Sequence, residues 1–120
     1  MNSGHKIAPE PLEQKIARIL PAVQQVVIIG NGRGYLCALF AGAVEPAAVQ
    51  AALGVVNGEL PHYRQVRNFK VIGNAFTPES GLLTANGKLR RDAINTRFAS
   101  EINAMYEEKK ERQAVSKQHT

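Results

Sequence analysis

Leu12, Ile16, Ile19 and Leu20 recur at i, i+4, i+7 and i+8, a single apolar stripe that predicts a helix. Pro9-Glu10-Pro11 suits its first turn and Pro21 ends it. The period then disappears. Gln25 to Ile29 is a β-branched run that reads as a buried strand, and Tyr35 to Ala41 reads as a second strand, apolar on both faces. Gly30-Asn31-Gly32-Arg33-Gly34 between them predicts a turn, so the two form a hairpin at the centre of the domain. Helical period returns after Glu45-Pro46 with Val49, Ala52, Leu53, Val56 and Leu60, a stripe weakened by Gly54 and Gly58. Pro61 interrupts it, and Tyr63 to Val66 suits a short turn. Phe69 to Ile72 predicts a third strand. Gly73 to Gly87 is a long connection with a small hairpin expected near Ala75 to Leu83. Ile94, Phe98, Ile102, Met105 and Tyr106 line a last helix running from Asp92 to about Glu111. The order implies an α+β fold: a small mixed three-stranded sheet with packed helices. Residues 1–112 are expected to form one domain and residues 113–120 a polar tail.

At 120 residues the chain suits a single domain with a modest core. No apolar run reaches the roughly 20 residues that span a bilayer, and no signal-peptide core follows Met1. The single cysteine, Cys37, excludes an internal disulfide and fits a reducing compartment, so a cytoplasmic location is expected. The formal net charge of +5 is unevenly placed. Residues 1–60 are balanced, and the whole excess lies in residues 61–120. Such a half suits nucleic acid, an acidic partner or a phosphorylated substrate.

The segment that narrows these classes is Thr84-Ala85-Asn86-Gly87-Lys88-Leu89-Arg90-Arg91-Asp92. Asn-Gly favours a tight turn, which would hold the Lys88 ammonium at a loop tip, where it can meet a phosphate or a developing negative charge. A plain surface lysine would look the same at this level. Other constellations are weaker. Gly30-x-Gly32-x-Gly34 is followed by a strand, whereas a phosphate cradle needs a helix N-terminus there. His5, His62, His119 and Cys37 share no metal-ligand spacing, so no metal site is expected. Arg64, Arg67 and Lys70 with Tyr63 and Phe69 lack a nucleic-acid motif, and no nucleic-acid partner is expected.

Four segments together resemble the small C-terminal domain of AMP-forming acyl-CoA synthetases, in the adenylate-forming superfamily. Ser3 to Glu13 (SGHKIAPEPLE) resembles the second half of the loop motif after the interdomain hinge. Val26 to Leu39 (VVIIGNGRGYLCAL) resembles the hairpin of long-chain members. Leu60 to Phe69 (LPHYRQVRNF) is similar to the next helix and strand, and Gly81 to Arg91 (GLLTANGKLRR) to the final motif with its lysine. The likeness covers nearly all of residues 2–106 and fits the long-chain fatty acid branch best.

The resemblance implies a two-step reaction. A carboxylic acid attacks ATP to give acyl-adenylate and pyrophosphate; the thiol of coenzyme A then displaces AMP. A large N-terminal adenylate-binding domain would hold ATP, Mg²⁺ and the acyl group, and this chain would be the lid that rotates between the two half-reactions. Lys88 would be the catalytic residue, bridging carboxylate and α-phosphate oxygens. Gly4, His5 and Lys6 would form the loop that meets coenzyme A, Gly4 by letting the backbone lie close to the pantetheine arm. Fatty acid and coenzyme A are the implied substrates, with peripheral membrane contact of the full enzyme. The chain holds no counterpart of the hinge residue or of the Gly-rich nucleotide loop, so alone it is expected to be inactive and to bind no cofactor tightly. The alternatives are a fatty acyl-AMP ligase lid that loads a carrier protein and a non-enzymatic basic binding module.

Overall fold

A computed structural model describes residues 8–30 and 32–107. Helix α1 spans Pro9–Arg18, strands β1 and β2 span Gln25–Ile29 and Leu36–Ala41, helix α2 spans Pro46–Asn57, and strand β3 spans Val66–Ile72. Helix α3 spans Arg91–Arg97, and helix α4 continues over residues 99–107. The fold is α+β, with one sheet in the order β1-β2-β3. β1 and β2 pair antiparallel, with Val27 opposite Leu39, while β2 and β3 pair parallel. The parallel step needs a crossover, which α2 and the short 3₁₀ turn His62–Arg64 supply.

The two-sided apolarity of β1 and β2 has a direct cause. Val26, Ile28, Leu36, Ala38 and Phe40 face one core, packed by Leu12 and Ile16 of α1 and by Val49, Leu53 and Val56 of α2. Val27, Ile29, Cys37, Leu39 and Ala41 face a second core, closed by Phe76, Leu82, Leu83, Ile94, Ile102 and Met105. Every residue of β2 is buried, as a central strand covered on both faces requires.

Several boundaries differ from the sequence reading, and α2 ends at Asn57, so Leu60, expected in its stripe, lies beyond it. β3 begins at Val66 rather than Phe69, because the Asn57 side chain clasps Val66, donating to its carbonyl at 3.0 Å and accepting from its N–H at 2.9 Å. Ile19 is 43% exposed, since α1 stops at Arg18 and the chain turns before Ile19 can join the stripe. The last helix starts at Arg91 and is interrupted at Phe98, whose ring swings onto Phe76 with centroids 5.6 Å apart. The hairpin expected at Ala75 to Leu83 forms instead around residues 84–88, where Leu83 bridges Leu89. The 73–83 stretch is held by Gln25, which accepts from the Phe76 N–H at 2.8 Å and donates to its carbonyl at 3.3 Å. Gly4, His5 and Lys6 lie outside the described residues, as does the expected tail.

Candidate active site

Lys88 stands on a hairpin whose root is in the core and whose tip is in water. Leu82 and Leu83 are buried, while residues 84–88 are all exposed. The Thr84 N–H donates to the Lys88 carbonyl at 2.8 Å, and the Arg90 N–H to the Leu82 carbonyl at 2.9 Å. The Gly87 N–H closes the turn onto the Thr84 carbonyl at 2.9 Å, with φ at +84°. This is the pattern of a three-residue hairpin loop ending in a left-handed glycine. Asn86 keeps a negative φ, so glycine alone takes the left-handed position. The Thr84 hydroxyl accepts from the Lys88 N–H at 3.0 Å, which fixes the backbone that carries the lysine. The Lys88 ammonium has no partner among the described residues.

The hairpin is anchored from its C-terminal side. Arg91 opens α3 and reaches back to α1, where its guanidinium donates to both carboxylate oxygens of Glu13 at 2.8 Å. One of those oxygens also accepts the Ile28 N–H of β1, at 2.8 Å. Glu13 is only 7% exposed and is the one buried charged residue among the described residues. Its hydrogen bond holds the Arg91 guanidinium above its usual pKa. Glu10 adds a longer contact to Arg91 at 3.7 Å. Between this clamp and the hairpin lies a cleft of about 560 Å³ lined by Glu10, Glu13, Gln25, Gly87, Lys88 and Arg91.

Of the sequence-predicted site residues, only Lys88 falls in the described part; Arg91 has the structural role its place between loop and last helix suggests, while its partner Glu13 carries no role in the sequence reading. Glu13 carries the signal that could have exposed the pairing: it lies three residues before Ile16 and seven before Leu20, a lone charge beside the apolar stripe. Other candidates keep structural roles. Cys37 is buried near the start of β2, the central strand of the sheet. Tyr106 donates to the Tyr35 carbonyl at 2.9 Å, and burial raises the pKa of its hydroxyl, with Cys37 adding to the shift. Arg33 stacks on the Tyr106 ring, 4.4 Å from its centroid. No group of three or more His, Cys, Asp or Glu among the described residues is placed to hold a metal ion. No helix among them is long and apolar enough to cross a membrane.

The family model for the AMP-binding enzyme C-terminal domain matches residues 1–110. The chain belongs to that family. Its relatives include the long-chain-fatty-acid–CoA ligase FadD15 of Mycobacterium tuberculosis, 28% identical over 86% of this chain and 21% of that protein. Another is the chloroplastic long-chain-fatty-acid–[acyl-carrier-protein] ligase AEE15 of Arabidopsis thaliana, 27% identical over 88% of this chain and 16% of the relative. This AMP-binding C-terminal domain therefore spans about a fifth or less of the curated relatives it matches. Among solved structures, it resembles the A-PCP didomain of the carboxylic acid reductase of Segniliparus rugosus in complex with AMP. The TM-score is 0.76 at 26% identity, over 91% of this chain and 17% of that one. The adenylation domain of the Mycobacterium chelonae carboxylate reductase aligns with a TM-score of 0.69 at 29% identity, over 81% of this chain and 17% of that one. The chain is thus a C-terminal domain of the adenylate-forming enzymes, homologous to fatty acid ligases that name either coenzyme A or a carrier protein as acceptor.

Proposed function

We propose that this domain is the mobile catalytic lid of an AMP-forming long-chain fatty acid–CoA ligase, and that Lys88 acts in its adenylation step. The observation that carries the reading is the unpartnered, exposed Lys88 ammonium on a hairpin rooted in the core. Such a group is rigid at its base and free at its end, which suits a lid that presents a cation to a site on another domain. There it would meet the carboxylate and α-phosphate oxygens as negative charge gathers between them. A unit charge at 4 Å is worth about 4 kcal/mol at an effective dielectric constant of 20. Part of that offsets the ammonium's lost hydration, leaving roughly 10²- to 10³-fold in rate, the range set by single charge-stabilising donors. ATP would supply the adenylyl group, and the large domain its pocket and Mg²⁺. The loop of Gly4, His5 and Lys6 would meet coenzyme A after the lid turns.

The test is a split assay on this chain joined to its large domain. Lys88→Ala should cripple ATP–pyrophosphate exchange and spare thioester formation from supplied palmitoyl-adenylate and coenzyme A. Equal loss in both steps would refute the assignment. A second reading has its own support, because one relative is named for an acyl-carrier-protein acceptor. Transfer to holo carrier protein in preference to coenzyme A would decide for it.

A further inference from the structure

Glu13 is the buried charge that the proposed mechanism does not use, yet three elements meet on its carboxylate. It sits on α1, accepts from the backbone of β1 at Ile28, and takes both arms of Arg91 at the start of α3. Arg91 lies three residues after Lys88, directly behind the hairpin. The hairpin's own bonds fix its internal shape but not its attitude toward the sheet: Thr84 with Lys88 and Leu82 with Arg90 are bonds within one loop. The root side chains Leu82 and Leu83 are apolar contacts, which resist removal more than rotation. A bidentate arginine–carboxylate pair is directional, because both N–H···O bonds lengthen if the guanidinium plane tilts. The pairing also spends the Glu13 charge on Arg91, so the carboxylate in the shared cleft does not draw the Lys88 ammonium onto itself.

Building on the reading of Lys88 above, we infer that Glu13 is a positioning residue for adenylation: through Arg91 it sets the direction in which the Lys88 hairpin leaves the domain. Glu13→Gln is the informative variant, because a glutamine carbonyl still accepts from Ile28 while the charged fork is lost. Arg91→Lys is its counterpart, keeping the charge and losing the second arm. The assay uses this chain joined to its large domain, with palmitate, ATP and labelled pyrophosphate, and separately with palmitoyl-adenylate and coenzyme A. Both variants should lower the turnover of pyrophosphate exchange on the order of 10- to 100-fold, the scale of a small misplacement of a reacting group. KM for ATP and the thioester step should be unchanged, and the intact thioester step reports that the domain is folded. In a Lys88→Ala background, Glu13→Gln should cost nothing further. Equal loss in both half-reactions, or a full additional loss on top of Lys88→Ala, would overturn the inference. If Lys88→Ala itself spares exchange, the reading of Lys88 fails and this inference with it. If Lys88→Ala cripples exchange while Glu13→Gln and Arg91→Lys do not, only the positioning role fails.

Discussion

Removing Arg91 should destabilise the isolated 120-residue chain more than removing its partner's charge. In Arg91→Ala the Glu13 carboxylate keeps one donor, the Ile28 N–H at 2.8 Å, and loses two. Breaking a fully buried pair from one side costs about 3–5 kcal/mol, since the orphaned charge stays desolvated. The Glu13 side chain is 9% exposed but that of Arg91 is 31% exposed, so water can reach the vacated side. Halving the range for that access gives roughly 2 kcal/mol. For a domain near 100 residues this corresponds to a fall in Tm of roughly 10 °C. Adding Glu13→Gln should then recover about 1 kcal/mol, because a neutral amide leaves no buried charge behind. Thermal and urea unfolding of the four chains in the cycle, followed by circular dichroism, measures both terms. The reasoning fails if Arg91→Ala is silent, or if the double variant is less stable than Arg91→Ala alone.

Other expectations test separate parts of the structure. Gly87→Ala should cost about 1 kcal/mol in urea unfolding, because φ is +84° although the space for a methyl is open. Gly34→Ala, with equal space and no left-handed φ, should be silent in the same measurement. Phe40→Ala should cost about 3–5 kcal/mol or abolish folding, since the ring is fully buried and meets Phe69 edge-on. The Tyr35 and Tyr106 hydroxyls have pKa values raised above the ordinary 10.0, so the folded chain holds their protons longer than the unfolded one. The part of the stability that depends on these two hydroxyls should therefore be constant below about pH 10 and fall as pH rises beyond it, a fall that Tyr106→Phe lessens in pH-dependent melts. The isolated chain should show no ATP–pyrophosphate exchange; measurable exchange without a partner domain would contradict the lid reading.

The parts of the fold legible in the sequence are those set by local pattern. β1 and β2 are β-branched or apolar runs without helical period because both of their faces are buried. α2 follows from a proline start and the stripe of Val49, Ala52, Leu53 and Val56, all buried. The parts that escape are set by contacts between distant residues. Val66 is held at the start of β3 by Asn57 as well as by its pairing with Leu36, and Gln25 holds the loop at Phe76 across 51 positions. The hairpin falls at 84–88 because Thr84 and Gly87 supply the turn, while Pro78 and Gly81 instead serve a stretch closed by mutual Thr77 and Ser80 bonds. Lys88 is legible because its motif is contiguous. Glu13 and Arg91 lie 78 residues apart, so no local pattern links them.

The Glu13–Ile28 bond also bears on how copies of this chain coexist in solution. β1 is an outer strand of the sheet, and its Val-Val-Ile-Ile run is the kind of sequence that templates strand addition. A carboxylate seated on the Ile28 N–H occupies a donor that an incoming strand would need, and α1 lies across the same side. One buried acid thus closes a donor of the outer strand as well as holding the clamp, and a chain without an acceptor at position 13 would leave that donor unmet.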